Sequence, residues 1–165
     1  MNESDIHEIK WCLHQNRGIK LVEPNENMSR SYLEKAEESR QAMDVHMKGG
    51  LSNWVTIAAY YTEYFAFYSL ALRCGIKCEI HECMVALSEI FVKSGVIPEN
   101  IHEELKKAKQ NRINAQYYIK QSLSKDKIQE EVTDAKNFVL FIKEKLENIT
   151  EKDITNVRKH LRSML

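Results

Sequence analysis

The chain has 165 residues, with 24 Lys and Arg against 24 Asp and Glu, five Gly and two Pro. That length suits a single domain, residues 1–165, with its own hydrophobic core. The zero formal net charge excludes a global field that would draw the whole molecule onto nucleic acid or an anionic membrane, so any such contact must come from a local patch or a dimer.

The N-terminal "MNESDIHEIKW" lacks the basic-then-apolar layout of a secretory signal, and the expected compartment is the cytoplasm. There the four cysteines, Cys12, Cys74, Cys78 and Cys83, are expected to be reduced rather than bridged. A first helix is expected over Asp5 to Gln15, with Ile6, Ile9 and Leu13 at helical spacing. "RGIKLVEPNEN" follows as a loop marked by Gly18 and Pro24. A second helix runs from about Met28 to Lys48, with Ser31 and Glu34 or else Asn27 at its start, and Gly49 or Gly50 closes it.

A third helix extends from Ser52 towards Gly75. Trp54, Ile57, Ala58, Tyr61, Phe65, Tyr68 and Leu72 share one face, and Ala59, Phe67 and Ala71 cover much of the rest. A helix apolar on most sides belongs at the centre of a bundle. Glu63 in the middle of this run disfavours a membrane-spanning reading. A fourth helix is expected from His81 to Lys93, a fifth from about Asn100, and a sixth from Asp126 to Asn148 with Ile128, Val132, Ala135, Val139, Ile142 and Leu146 as its stripe. "TEKD" at Thr150 reads as a capping box before a short last helix carrying Ile154, Val157, Leu161 and Met164. Strand signals are absent, and the fold class is all-α, an antiparallel up-and-down helical bundle.

The fifth helix carries the informative irregularity. Ile101, Leu105, Ala108, Arg112 and Ala115 follow one another at spacings of four, three, four and three, the pattern of core-facing positions. Arg112 stands where an apolar residue belongs. A guanidinium drawn into a packed seam needs a carboxylate, backbone carbonyls or an anionic ligand beside it, or must face a cleft or a subunit interface. Otherwise the helix frays and the side chain reaches solvent. Glu63 is the candidate carboxylate. Lys106, Lys107 and Lys109 point mostly to water, Gln116 falls near the face of Arg112, and Tyr117 points away unless the chain turns after Ala115.

Other clusters read more plainly. "CGIKCEIHEC" places Cys74, Cys78, His81 and Cys83 within ten residues, but zinc sites usually pair two short knuckles across a longer insertion. These residues are taken as small buried side chains and a histidine at a helix start, with no metal and no cofactor. Tyr60, Tyr61, Tyr64, Phe65, Phe67 and Tyr68 have the spacing of core packing rather than of a base-stacking platform. His7, His14, His46, His102 and His160 form no local constellation.

Read in order, "SYLEKAEESRQAM", "AAYYTEYFAFYSLALRCGI", "IHECMVALSEIFVKSGVIPENI" and "KAKQNRINAQYY" resemble the HEPN domain family over residues 31–149. Residues 1–30 and 150–165 then stand as peripheral additions to a four-helix core. The resemblance implies a homodimer. It further implies, for many members, a metal-independent ribonuclease that uses an arginine and, after four to six intervening residues, a histidine, met across the two subunits. Other members accompany a minimal nucleotidyltransferase in toxin–antitoxin pairs, some being modified on a motif tyrosine.

Arg112 matches the family's arginine, but Tyr117, Tyr118 and Ile119 occupy the positions where the histidine is expected. "RINAQY" looks like the arginine–tyrosine variant, and a tyrosine with a pKa of about 10 is a poor base at neutral pH. The expectation is therefore a binding module without catalysis. Arg112, Asn114, Tyr117, Tyr118 and His81 would line a cleft for a nucleotide, RNA phosphate or partner protein. The alternative is a ribonuclease with a remodelled site, in which His81 or His102 replaces the missing histidine. A third reading gives Arg112 only a structural ion pair.

Overall fold

The computed structural model describes residues 3–117 and 123–165. Seven helices follow in chain order among them: α1 (Glu3–His14), α2 (Glu26–Lys48), α3 (Ser52–Arg73), α4 (His81–Lys93), α5 (Glu99–Tyr117), α6 (Lys125–Asn148) and α7 (Glu151–Arg162). The expected all-α bundle is present, with α3 at its centre against α2, α5 and α6. Its near-continuous apolar surface explains that position, since only a helix enclosed by others can hide several faces. Tyr60 and Phe67 of α3, Phe91 of α4 and Phe138 of α6 are fully buried. Phe67 and Phe91 meet edge-on, 5.1 Å between centroids.

Local signals set several helix ends. Thr150 and Asp153 form the reciprocal capping box expected before α7. Gly50, at φ 69°, takes the left-handed turn after α2. The start of α2 differs from expectation. Asn25 caps it, accepting a hydrogen bond from the Met28 amide at 2.9 Å, so the helix begins ahead of both Asn27 and Ser31.

Two short strands also depart from the strand-free expectation. β1 (Lys20–Leu21) and β2 (Ile76–Lys77) pair antiparallel, Lys20 opposite Lys77 and Leu21 opposite Ile76. Two-residue strands have no periodicity to read, so tertiary placement alone creates them. They fasten the connection before α2 to the turn after α3. Arg158 of α7 completes the junction: its Nη1 donates to the carbonyls of Val22 at 2.8 Å, Cys74 at 3.1 Å and Gly75 at 2.8 Å. Gly75 is required here, because its φ is 69° and a Cβ would come within 2.5 Å of the Val22 oxygen.

The expectation of four reduced cysteines is overturned. Cys12 of α1 and Cys83 of α4 are disulfide-bonded, with 5.5 Å between their Cα atoms, while Cys74 and Cys78 are free and buried. Burial pushes both free thiols up to about 12, which makes them poor nucleophiles at neutral pH.

The third helix also departs from its expected burial at one end. Trp54 is 56% exposed and stacks on His46, and Ile57, Tyr61 and Phe65 are half-buried, so this strip borders an open apolar groove between α2 and α3. No helix among the described residues is long and apolar enough to cross a membrane. Denatured without reductant, the protein should take up iodoacetamide at Cys74 and Cys78 only, read by peptide mass. Labelling of all four cysteines would contradict the Cys12–Cys83 bond.

Candidate functional site

Helix α5 continues through Arg112 to Tyr117 without fraying. Ile101 and Leu105 are buried and Ala108, Arg112 and Ala115 half-buried, so the stripe read from spacing does turn inward. Arg112 finds an aromatic ring there rather than a carboxylate. Its guanidinium carbon lies 5.0 Å from the centroid of the fully buried Tyr60 ring, and Nη1 donates to Gln116 Oε1 at 2.5 Å. Such a cation–π contact contributes roughly 0.5–2 kcal/mol, depending on desolvation. It does not neutralise the charge, and the buried Nε of Arg112 has no hydrogen-bond acceptor among the described residues.

Glu63 is not its partner. One turn along α3 from Tyr60, Glu63 instead borders a small, half-open cavity shared with Glu104, Lys107, Glu131 and Asp134. The structure records no ion pair between Arg112 and any described carboxylate.

Tyr60 joins Arg112 to a histidine. The Tyr60 hydroxyl and His81 Nδ1 share a hydrogen bond of 2.6 Å, and the His81 ring stacks on Tyr64 with centroids 4.4 Å apart. Tyr61 meets His81 edge-on. His81 reaches this place because it is the first residue of α4, directly after the turn that carries β2. Its neighbour Glu82 pairs with Lys109 of α5, which ties the start of α4 to the helix bearing Arg112. Lys109 thus leaves the solvent-facing role expected of it.

Burial, and then the nearby Arg112 and Lys109 cations, hold the His81 pKa below its usual 6.5. The imidazole is therefore neutral at pH 7. A histidine depressed in the folded state contributes stability present above pH 6.5 and lost as pH falls through its folded pKa. Burial pushes the Tyr60 phenol far up, so this hydroxyl stays protonated and can donate to or accept from His81 without acting as a base.

The remaining candidates separate. Asn114 lies about 200° around the helix from Arg112. It accepts from Gln110 Nε2 at 3.1 Å and borders a small pocket with Asn53, Asn111, Ala115 and Leu123. Tyr117 is about 140° away from Arg112 and 72% exposed. Tyr118 lies outside the described residues. His102 is buried at the opposite end of α5, hydrogen-bonded to Ser88 Oγ at 2.7 Å and 3.7 Å from Glu89. Ten residues of helix put it about 15 Å from Arg112.

Of the expected cleft, the fold brings together Arg112 and His81 only, and adds Tyr60 and Gln116. Gln116 was legible from its spacing. Tyr60 was not, because it sits beside the apolar stripe of α3 and reads as one more core aromatic. Cys83 is committed to Cys12, and the described residues contain no cluster of three or more His, Cys, Asp or Glu side chains able to hold a metal ion.

The geometry makes the His81 titration a direct probe. In a proton-NMR titration, Arg112→Ala should raise the His81 pKa towards its ordinary value, since it removes a nearby cation and opens the ring to water. An unchanged pKa would place Arg112 out of electrostatic range.

A family model for the HEPN domain matches residues 29–146. No curated protein matches the chain significantly. The match spans most of the 165 residues and takes in α3 to α5 with nearly all of α2 and α6, including Arg112, His81 and Tyr60. The chain belongs to the HEPN domain family.

Proposed function

We propose that this protein is a non-catalytic HEPN module that binds a phosphate-bearing ligand, a nucleotide or RNA, through Arg112. The single observation behind this reading is that Arg112 is held in place on the Tyr60 ring while its charge has no carboxylate partner among the described residues. A planar guanidinium already fixed by stacking loses less freedom when it engages phosphate oxygens than a free surface side chain would. The His81 imidazole, neutral at pH 7, offers a hydrogen bond beside it without opposing or adding charge.

Two further parts of the reading follow from family membership. The half-exposed strip of Trp54, Ile57, Tyr61 and Phe65 supports a homodimer, in which a second copy would cover apolar surface. The exposed Tyr117 phenol supports the pairing with a minimal nucleotidyltransferase in a toxin–antitoxin or defence system, since a modifying partner needs an accessible hydroxyl. The segments 1–30 and 150–165 serve as supports outside the binding core, clamped by the Cys12–Cys83 bond and by Arg158.

One observation favours a second reading. The Tyr60 bridge between Arg112 and His81 supplies the two residue types of a metal-independent ribonuclease, with His81 coming from α4 rather than from the motif. Against turnover stands the engagement of Nδ1 by Tyr60 and the stacking of the ring on Tyr64, which restrict its reach to a scissile phosphate.

Binding of a fluorescent single-stranded RNA or a 5′-mononucleotide should weaken about 10- to 100-fold in Arg112→Ala, the loss of one charge-assisted contact. The thermal midpoint should fall by no more than several degrees, through loss of the contact with Tyr60. Retained affinity, or collapse of folding with affinity per folded molecule unchanged, would overturn the binding reading. Purified protein should leave varied RNAs intact without metal. Cleavage abolished both by Arg112→Ala and by His81→Ala would establish the ribonuclease instead.

A further inference from the structure

Between α3, α5 and α6 lies a cavity of about 10 Å³, the size of a single water molecule. Its wall carries an excess of acid. Tyr60 and Glu63 face it from α3, Glu104 and Lys107 from α5, and Glu131 and Asp134 from α6. Two of the four carboxylates are provided for. Glu131 accepts from Thr56 Oγ1 and Asn111 Nδ2, both at 2.7 Å. Asp134 receives Lys107 at 3.3 Å, but Lys107 also binds Glu130 at 2.7 Å on the outer side. The one cation in this wall is thereby occupied.

Glu63 and Glu104 are left. Glu63 is 2% exposed, and its Oε2 has no partner among the described residues, nor does Glu104 Oε1. An ionised Glu63 would be buried, without a partner among the described residues and close to other anions, an arrangement that costs several kcal/mol, whereas Glu104 is half-buried. The cavity is too small for a hydrated ion, and its acids make no metal cluster among the described residues. A proton on the carboxylate removes that charge without occupying the cavity.

We propose that Glu63 and Glu104 hold protons across the α3–α5 contact, and that their loss as pH rises loosens α5 and weakens the Arg112 site it carries. The site link rests on the anion-binding reading; the proton link does not. Coupling is structural and short. Asn111, adjacent to Arg112, is the donor that fixes α5 to Glu131 at the cavity edge, and Tyr60 touches both the cavity and the Arg112 guanidinium.

The direction of titration agrees with the packing. Burial, then the neighbouring Asp134, pushes Glu104 up to about 7, and burial with Glu104 beside it raises Glu63 well above 4.5. Both acids bind more protons folded than unfolded. Their contribution to stability is complete below the unfolded value and is lost as pH rises through the folded one.

The test uses the whole chain. Carboxyl carbon NMR of glutamate-labelled protein should show Glu104 titrating near neutrality, whereas a midpoint near the ordinary 4.5 would overturn the proposal. Amide exchange in α5, corrected for its intrinsic pH dependence, should speed up between about pH 6 and about pH 8 in the wild type and stay flat in Glu104→Gln. The thermal midpoint should fall by several degrees over that range in the wild type, and the fall should shrink in Glu104→Gln and Glu63→Gln. Parallel profiles in wild type and variants would overturn the proposal. Should a variant not fold, the carboxyl titration of the wild type decides alone.

Binding of inorganic phosphate should weaken over the same range in step with α5 exchange. Binding independent of pH would refute the link to Arg112. A protein that binds no phosphate at any pH, yet shows the carboxyl titration and the exchange change, would refute the anion-binding reading and leave the proton pair standing.

Discussion

The site is organised by a guanidinium laid on the face of a buried tyrosine, with no carboxylate among the described residues to neutralise it. Arg112 occupies a core-facing turn of α5, where a permanently charged group is costly unless something compensates it. Tyr60 compensates in part, through its ring electrons and by filling the space beneath the guanidinium. Gln116 holds one nitrogen. What is left over is positive charge in a fixed orientation, the property that phosphate recognition requires. The same tyrosine reaches His81 through its hydroxyl, so one side chain sets the positions of both polar groups of the site.

The surrounding fold makes that placement rigid. Tyr60 sits on the central helix and cannot move without disturbing the core around it. His81 begins α4, whose orientation is held by the Cys12–Cys83 bond on one side and the Glu82–Lys109 pair on the other. The turn leading into α4 is fixed in turn by β1, β2 and the three carbonyls gathered by Arg158. Elements outside the matched family region, α1 and α7, thus steady a histidine within it. Next to this site along α5, the acid-lined cavity does the opposite. It places a packing contact under the control of protons, close to the helix segment that carries Arg112.

Helix periodicity made the fold legible: the stripes of α5 and α6, the central place of α3 and the Thr150 capping box all lie where their spacing puts them. The anomaly of Arg112 was legible for the same reason, since a charged residue interrupting an apolar stripe is visible in one dimension. Its partner was not. Tyr60 and Glu63 lie on the same helix, and spacing alone does not say which of them faces α5 at the level of Arg112. Electrostatic intuition selects the carboxylate, whereas the packing presents the ring. The disulfide joins residues 71 apart in sequence and leaves no local signature, and compartment reasoning pointed the other way. Asn114 was grouped with Arg112 through nearness in sequence, which a helix undoes within two residues.

The claim on which the account depends is that the Arg112 side chain, stacked on Tyr60, is itself the anion receptor. Its most direct test is the Nε–H resonance of Arg112, followed by NMR while a 5′-mononucleotide is added to the wild-type protein. This signal should move in a saturable way while that of Arg158, spent on backbone carbonyls, stays in place. An Arg112 signal that remains still throughout the titration, whatever else shifts, would contradict it.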